Sequence, residues 1–145
     1  MKKTNEIKLR FPAKSVNEGF ARAAVAAFTS LCDPTVEELS DVKTAVSEAV
    51  TNAIVHAYKD RDGQIDVNAA IYEGNLLKIR VKDRGIGIED VGKAMEPLFT
   101  TAGDDRSGLG FTVMQSFSDK LQVRSRPGVG TTVTITKHIK GKETP

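Results

Sequence analysis

The sequence has no tryptophan and only one cysteine, Cys32. A lone cysteine excludes an internal disulfide, and the simplest interpretation is a reducing compartment. Cys32 follows Leu31 in an apolar stretch, so we expect a buried structural thiol rather than a nucleophile. No apolar run is long enough to span a bilayer, and the two lysines after Met1 are not followed by the apolar segment of a signal peptide. The sequence therefore predicts a cytoplasmic protein.

The chain also lacks a large excess of charge of either sign, since 21 Lys and Arg residues face 19 Asp and Glu residues. This balance gives no general argument for binding nucleic acid or a membrane, and we expect neither as a direct partner. A chain of 145 residues that is 39% hydrophobic has the size and composition of one soluble globular domain. We expect a single domain over residues 1–145, with a polar, frayed tail from Lys140 to Pro145.

Apolar periodicity predicts both strands and helices. The predicted strands are Ile7–Phe11, Gln64–Tyr72, Leu76–Lys82, Leu121–Arg126 and Thr131–Lys137. The predicted helices run from Ser15 or Asn17 to about Leu31, from a Thr35–Glu38 capping box to about Tyr58, and onward from Gly110, with a short helical piece near Val91–Met95. The buried stripe of the first helix is predicted to be Phe20, Ala24, Ala27, Phe28 and Leu31.

Four segments carry candidate chemistry, and the first is on the second predicted helix. Glu48 and Asn52 are four residues apart and so share one helix face. A carboxylate beside a carboxamide could orient a nucleophile and offer a neutral oxygen to Mg²⁺. Taken alone, an exposed polar face with an i,i+4 hydrogen bond explains the pair better.

The second segment, Asp83-Arg84-Gly85-Ile86-Gly87, directly follows a predicted strand. Two glycines at alternate positions let the backbone approach a flat ligand, and an ionised Asp83 could accept a hydrogen bond from an exocyclic amine such as adenine N6. A plain turn with a capping aspartate gives the same pattern, so this signal is weak alone.

The third and fourth segments are rich in glycine. Arg106-Ser107-Gly108-Leu109-Gly110 lies at a helix start, where free amides, the helix dipole and the Arg106 guanidinium favour an anion. A flexible loop before a glycine-capped helix is about equally consistent with it. In Gly128-Val129-Gly130-Thr131-Thr132, a ligand-facing hydroxyl is only one possibility, since threonine is ordinary in strands.

In this order the four segments closely resemble the GHKL ATPase superfamily. The runs Val46–Ile54, Pro97–Thr101 and Arg106–Thr112 resemble the bacterial anti-sigma factors that are serine-protein kinases, most closely those of the sporulation sigma F type. The resemblance covers about Ile7 to Ile139. It implies an α/β (α+β) two-layer sandwich of a mixed, mainly antiparallel sheet with helices on one face. Gly-x-x-x-x-Gly-Lys-[Ser/Thr] is missing, so the chain is not a P-loop protein.

The resemblance also implies a role for individual residues. Glu48 would be the general base, Asn52 would ligate Mg²⁺ beside ATP, and Asp83 would read adenine. The other residues implied to hold the nucleotide are Gly85, Gly87, Thr132 on the adenine side, Thr100 and Thr101 in a mobile lid, and Arg106, Ser107, Gly108, Leu109 and Gly110 at the phosphates. The acidic lid segment Ala102–Asp105 has no lysine, so a lid lysine on the phosphates is not carried over.

The implied function is a switch between two protein partners. The chain would sequester an RNA polymerase sigma factor and phosphorylate a serine on an anti-anti-sigma protein, acting as a homodimer formed through the first strand and helix. Arg22 is a candidate partner contact, with a solvated surface arginine about equally consistent. Two alternatives are a binding module gated by nucleotide without kinase activity, and a histidine-kinase-type ATPase domain whose phosphoacceptor is on another chain.

Overall fold

The computed structural model describes residues 1–59, 61–95 and 106–142, with the side chains of 106–109 excepted. One layer is a five-stranded sheet and the other is helical. The strands are β1 (Lys3–Pro12), β2 (Gln64–Tyr72), β3 (Leu76–Asp83), β4 (Lys120–Arg126) and β5 (Gly130–His138). The helices are α1 (Val16–Thr29), α2 (Val36–Asn52), α3 (Val91–Ala94) and α4 (Arg106–Ser116), with a 3₁₀ turn at Ser30–Cys32 and a π-helical turn at Ala53–Ala57.

The strands are ordered β1-β2-β3-β5-β4, and each neighbouring pair is antiparallel. This confirms the two-layer α/β sandwich, with antiparallel pairing throughout the described strands rather than a mixture. Alternate side chains on β2 and β3 are buried, because only one face of the sheet is covered by helices. The core between the layers contains Ile65, Val67, Leu77, Ile79 and Ile135 from the sheet and Val42, Val46 and Val50 from α2.

The predicted buried stripe of α1 is wrong for most of its members. Phe20 is 63% exposed, while Ala21 and Val25 are fully buried. Only Phe28 of the predicted stripe is in the core. Helix α1 is apolar on nearly all sides from residue 20 to residue 28, so periodicity alone could not select which side faces the sheet. An apolar surface therefore remains on the outside of α1.

The capping box at the start of α2 is confirmed. The Thr35 Oγ1 accepts from the Glu38 N–H at 3.0 Å, and the Thr35 N–H donates to Glu38 Oε1 at 3.0 Å. The same carboxylate accepts from the backbone N–H groups of Lys140 and Gly141, at 2.7 and 3.0 Å. The tail expected to fray is thus held against α2 at these residues, because a cap carboxylate has lone pairs left for further donors.

Helix α4 begins at Arg106, five residues before Phe111, where the helix after Gly110 was predicted to start. Two glycines lie inside it, and glycine lowers helix propensity, which is why the sequence predicted a later start.

Cys32 is buried as expected, and burial raises the pKa of its thiol. Within the described ranges, none of the helices is both long and apolar enough to cross a membrane.

Candidate nucleotide-binding site

A cavity of about 260 Å³ lies between the C-terminal end of α2, the end of β3 and the start of β5. Its polar lining comes from Asn52, His56, Lys59, Asp83 and Thr131. Its apolar lining is formed by Ala49, Ala53, Ala57, Val81, Ile86, Ile88, Ala94, Phe111 and Val133. Apolar walls with a few fixed polar groups are typical of a site for a flat heterocyclic ligand. Asn52 and Asp83, which come from separate motifs, thus meet in one cavity.

Asp83 ends β3 and is only 6% exposed. Its Oδ1 accepts two backbone hydrogen bonds, from the Gly85 N–H at 3.0 Å and the Thr131 N–H at 3.2 Å. Burial raises the pKa of Asp83, and the two donors oppose that rise. In the described part of the chain Oδ2 accepts no hydrogen bond, so this oxygen can accept one from a ligand N–H in the cavity.

The two glycines after Asp83 are required by protein contacts. A Cβ on Gly85 would lie 2.3 Å from the Ala57 carbonyl oxygen, where the loop crosses the π-helical turn. Gly87 has φ +77°, and a Cβ there would lie 2.1 Å from the Arg126 carbonyl oxygen. Gly87 also lines the cavity. The expectation that both glycines make room for the ligand is therefore corrected at Gly85, which accommodates the π-helical turn instead.

Thr132, which was predicted on the ligand side, does not line the cavity. Thr131 is the register partner of Asp83 and lines the cavity, whereas Thr132 pairs with Lys82 and faces the opposite side of the sheet. Thr131 is 7% exposed, and its Oγ1 lies 2.8 Å from the Ser125 Oγ. Side chains alternate along a strand, so a shift of one residue exchanges the two faces. The pairing of β5 with β3 decides which β5 residues share a face with Asp83, and this pairing is the signal that could have identified Thr131.

Asn52 is the last residue of α2 before the π-helical turn. Its Nδ2 is buried and, among the described residues, has no hydrogen-bond partner. Gly110 of α4 lies directly against it, since a Cβ there would approach Nδ2 to 2.9 Å. A buried amide without a partner costs free energy unless a ligand satisfies it. Asn52 is therefore placed to bind a polar ligand, and Gly110 gives it the necessary space.

Glu48 lies one turn before Asn52 on the same face of α2. It lines a groove between α1 and α2, of about 510 Å³, rather than the cavity itself. Arg22 and Ser47 lie in the same groove. The Ser47 Oγ is hydrogen-bonded to Glu18, and the Arg22 guanidinium lies 3.8 Å from that same carboxylate. The structure thus brings Glu48 together with Arg22 and places it next to Asn52.

The donor set suits Mg²⁺ only in combination with a nucleotide. In the ranges that the structure describes, no three His, Cys, Asp or Glu side chains lie close enough to hold a metal. Mg²⁺ is usually held by one or two protein oxygens together with substrate phosphates. The Asn52 amide can offer one oxygen, so it fits that arrangement.

The remaining predicted residues lie at the N-terminus of α4 or before it. Thr100 and Thr101 lie outside the described residues. Arg106, Ser107, Gly108 and Leu109 form the first turn of α4, where backbone N–H groups have no acceptor within the helix. Such a turn favours phosphate oxygens. The anion site at this helix start stays a prediction. Gly110, which was predicted to be part of it, lies against Asn52.

A family model described as histidine kinase-like ATPase domain matches residues 11–137. The match agrees with the cavity, which joins the end of one helix, the Asp83 loop and the neighbouring hairpin. The class of protein is therefore an ATPase domain of the histidine kinase-like type, which implies ATP binding.

Curated relatives are similar over almost the whole chain. The anti-sigma F factor of Thermoanaerobacter pseudethanolicus is 56% identical over 140 residues, covering 96% of this chain and 97% of the relative. The anti-sigma F factor of Clostridium acetobutylicum is 54% identical over 134 residues, covering 92% and 93%. The chain belongs to the anti-sigma F factor family.

Solved structures agree on the fold. The RsbU and RsbW domains of a Mycobacterium tuberculosis protein superimpose with a TM-score of 0.69 at 19% identity, covering 98% of this chain and 35% of that chain. The histidine kinase domain from Erythrobacter litoralis EL346 blue-light activated histidine kinase gives a TM-score of 0.59 at 22% identity, covering 84% and 61%. These likenesses show the shared fold.

Proposed function

We propose that this protein is an anti-sigma factor that binds the RNA polymerase sigma factor of sporulation, sigma F, and also acts as an ATP-dependent serine kinase. Its protein substrate is a serine of an anti-anti-sigma protein. The observation that carries the proposal is the convergence of Asn52 and Asp83 in one cavity, with Glu48 one turn from Asn52. The name of the relatives supports the sigma-binding half.

In this proposal Asp83 selects the base of the nucleotide. Its Oδ2, which accepts no hydrogen bond from the described residues, accepts one from the exocyclic amine of adenine, while Oδ1 is fixed by two backbone donors. A base with an oxygen at that position would face the carboxylate with an acceptor, so ATP is preferred. The apolar lining of the cavity covers the two faces of the ring.

Glu48 and Asn52 have separate roles in phosphoryl transfer. Asn52 holds Mg²⁺, which when bound neutralises negative charge on the phosphates. Glu48 takes the proton of the substrate serine as the serine oxygen forms its bond to the γ-phosphorus and the bond to the ADP oxygen breaks. The first turn of α4 provides backbone donors for the phosphate oxygens. Most of the rate enhancement in such a reaction comes from positioning and charge.

A homodimer formed through β1 and α1 is part of the proposal. β1 is an edge strand of the sheet, and α1 exposes Val16 and Phe20 at 78% and 63% while the 3₁₀ turn that follows it exposes Leu31 at 66%. An apolar patch beside an open edge favours association. Phe20→Ser should shift the protein towards monomer in sedimentation velocity, with Val129→Ser, also at an exposed apolar residue, as the matched control.

The deciding experiment is transfer of label from γ-labelled ATP to a purified anti-anti-sigma protein. Wild type should give acid-stable phosphoserine, and Glu48→Gln should reduce the rate by roughly 10²- to 10⁴-fold. Glu37→Gln, an exposed carboxylate on the same helix, is the matched control and should not reduce it. Acid-labile label would indicate histidine phosphorylation instead, and nucleotide binding without transfer would indicate a binding module.

For sigma binding, Arg22→Ala should weaken the complex while ATP affinity stays unchanged.

A further inference from the structure

The face of the sheet turned away from the helices carries a regular array of cations. Antiparallel register aligns Arg10, Asp66, Lys82, Thr132 and Arg124 in one row across all five strands. The next row contains Lys8, Asn68, Arg80, Thr134 and Gln122. Neighbouring side chains in such rows are roughly 5 Å apart across the sheet and about 7 Å apart along a strand. We call these two rows, with Lys78 and Lys120 beside them, the open-face array.

The open-face array is mainly positive, whereas the charges of the whole chain are nearly balanced. Two carboxylates lie among its cations, Asp66 in the first row and Glu6 at its edge, where Glu6 accepts from the Asn68 amide at 2.9 Å. Asp66 already binds the guanidinium groups of Arg10 and Arg84, at 2.6 and 3.0 Å. These guanidinium groups lower the pKa of Asp66. The two carboxylates on this face, which lie on β1 and β2, therefore already have hydrogen-bond or ion-pair partners.

The array cations on β3 and β4 are not paired with a carboxylate of the described residues. In the part of the chain that the structure describes, Arg80, Lys82 and Arg124 form no salt bridge, and all three are exposed. The threonines of β5 lie between them and present hydroxyl groups. A shallow hollow of about 270 Å³ beside Lys8, Arg80 and Lys82 gives this surface relief. Exposed cations and hydroxyl donors fixed on a rigid sheet form a surface complementary to carboxylates.

We propose that the open-face array binds an acidic protein surface, at a site separate from the nucleotide cavity. The separation follows from strand alternation, because Asp83 and Thr131 line the nucleotide cavity whereas their neighbours Lys82 and Thr132 lie in a row of the array on the other face. The hollow at the strand ends that all four residues line is at the border of the array. A partner on this face would therefore leave the nucleotide in place. The array adds a docking surface to the proposed function and does not depend on kinase activity.

Two observations favour a protein over nucleic acid as the occupant. The fixed carboxylates of Glu6 and Asp66 would repel a phosphate backbone, which is negative at every nucleotide, whereas a protein surface carries both signs of charge. The two rows also contain no aromatic side chain on which an unpaired base could stack. Tyr72 lies at the margin of the face, under the ammonium of Lys78.

The test is binding of a fluorescein-labelled, glutamate-rich peptide, measured by anisotropy with and without ATP. Arg80→Gln with Lys82→Gln should weaken binding about tenfold, the combined value of a few exposed ion pairs. The matched control is Lys14→Gln with Lys43→Gln, which removes the same charge from exposed lysines outside the array. ATP affinity on the same samples reports that the fold is intact.

Each outcome decides the proposal. A loss confined to the Arg80 and Lys82 variant, with ATP leaving peptide affinity unchanged, supports it. Equal losses in both double variants would show a response to net charge and overturn it. Tighter binding of a DNA duplex of matched charge would also overturn it in favour of nucleic acid. Should the double variant not fold, wild-type peptide binding that is insensitive to salt would contradict an ionic surface.

Discussion

The Tyr58 hydroxyl accepts a hydrogen bond from the Arg84 backbone N–H at 2.8 Å. The same hydroxyl donates to the Gln64 carbonyl at 2.6 Å, and the ring packs against Gly63, where a Cβ would come within 2.2 Å. Tyr58 is 4% exposed and directly follows the π-helical turn that carries His56 and Ala57 to the cavity. One side chain therefore fixes the end of helix α2 relative to the residue after Asp83.

Removing only the hydroxyl should loosen the loop that carries Asp83. Tyr58→Phe keeps the ring against Gly63 but leaves the partly buried Arg84 N–H without its acceptor, and the loss of such a hydrogen bond costs about 0.5–1.5 kcal/mol. We expect lower stability in urea unfolding together with weaker selection of ATP over inosine triphosphate. Tyr72→Phe is the control, since that hydroxyl is on the exposed side of β2. If stability falls but base selection is unchanged, Tyr58 supports the fold without positioning Asp83.

Asp83→Asn should change which base is preferred. The Asn carbonyl oxygen can still accept from the Gly85 and Thr131 N–H groups, while its amide nitrogen takes the place of Oδ2. A donor then faces the base, and we expect ATP affinity to fall at least about tenfold while inosine triphosphate improves relative to ATP. Isothermal titration with both nucleotides measures this. Asp62→Asn, in an exposed loop, is the control, and an unchanged ratio would place the base elsewhere.

The matched pair Thr131→Val and Thr132→Val tests which threonine of β5 faces the cavity. Thr131→Val removes a hydroxyl in the cavity and breaks its contact with Ser125, whereas Thr132→Val changes only the open face. We expect ATP affinity to fall roughly five- to tenfold for the first variant, the value of about one hydrogen bond, and to stay within twofold for the second. Fluorescent-nucleotide displacement measures both. Equal effects would contradict the assignment of faces.

Much of the fold could be predicted from local patterns. The capping box of Thr35 and Glu38 marked the start of α2, and the limits of β2 agreed because a Gly-Asn turn and period-two alternation mark its end. The buried side of α1 could not be predicted, because the apolar residues around Phe20 extend around the helix and only packing against the sheet chooses among them. The start of α4 was missed because its glycines disfavour helix locally while Gly110 is selected by contact with Asn52.

The motifs predicted individual residues of the candidate site but not how those residues are arranged. Asn52 and Asp83 were predicted as site residues from their motifs, yet nothing local shows that they line the same cavity. Thr132 was chosen over Thr131 because strand parity is set by pairing with β3, which is a long-range property. Tyr58 was taken only as the end of a helix, since its two hydrogen bonds go to backbone groups, which have no sequence signature.

Glu38 should make stability depend on pH in the acidic range. Burial by itself would raise the pKa of Glu38, but hydrogen bonds from Thr35, Lys140 and Gly141 outweigh it and lower the pKa below its ordinary value. A carboxylate with a lowered folded-state pKa stabilises the fold above its unfolded pKa, and that contribution is lost as pH falls through the folded pKa. Glu38→Gln should therefore cost about 1–2 kcal/mol at neutral pH, as expected for loss of a capping box and its further bonds.

Urea unfolding of wild type and variant should show this difference shrinking below the ordinary pKa of glutamate. Glu37→Gln, on the same helical turn but exposed, should show no such convergence, and a difference for Glu38→Gln that is constant across pH would show that its charge has no part in holding the tail.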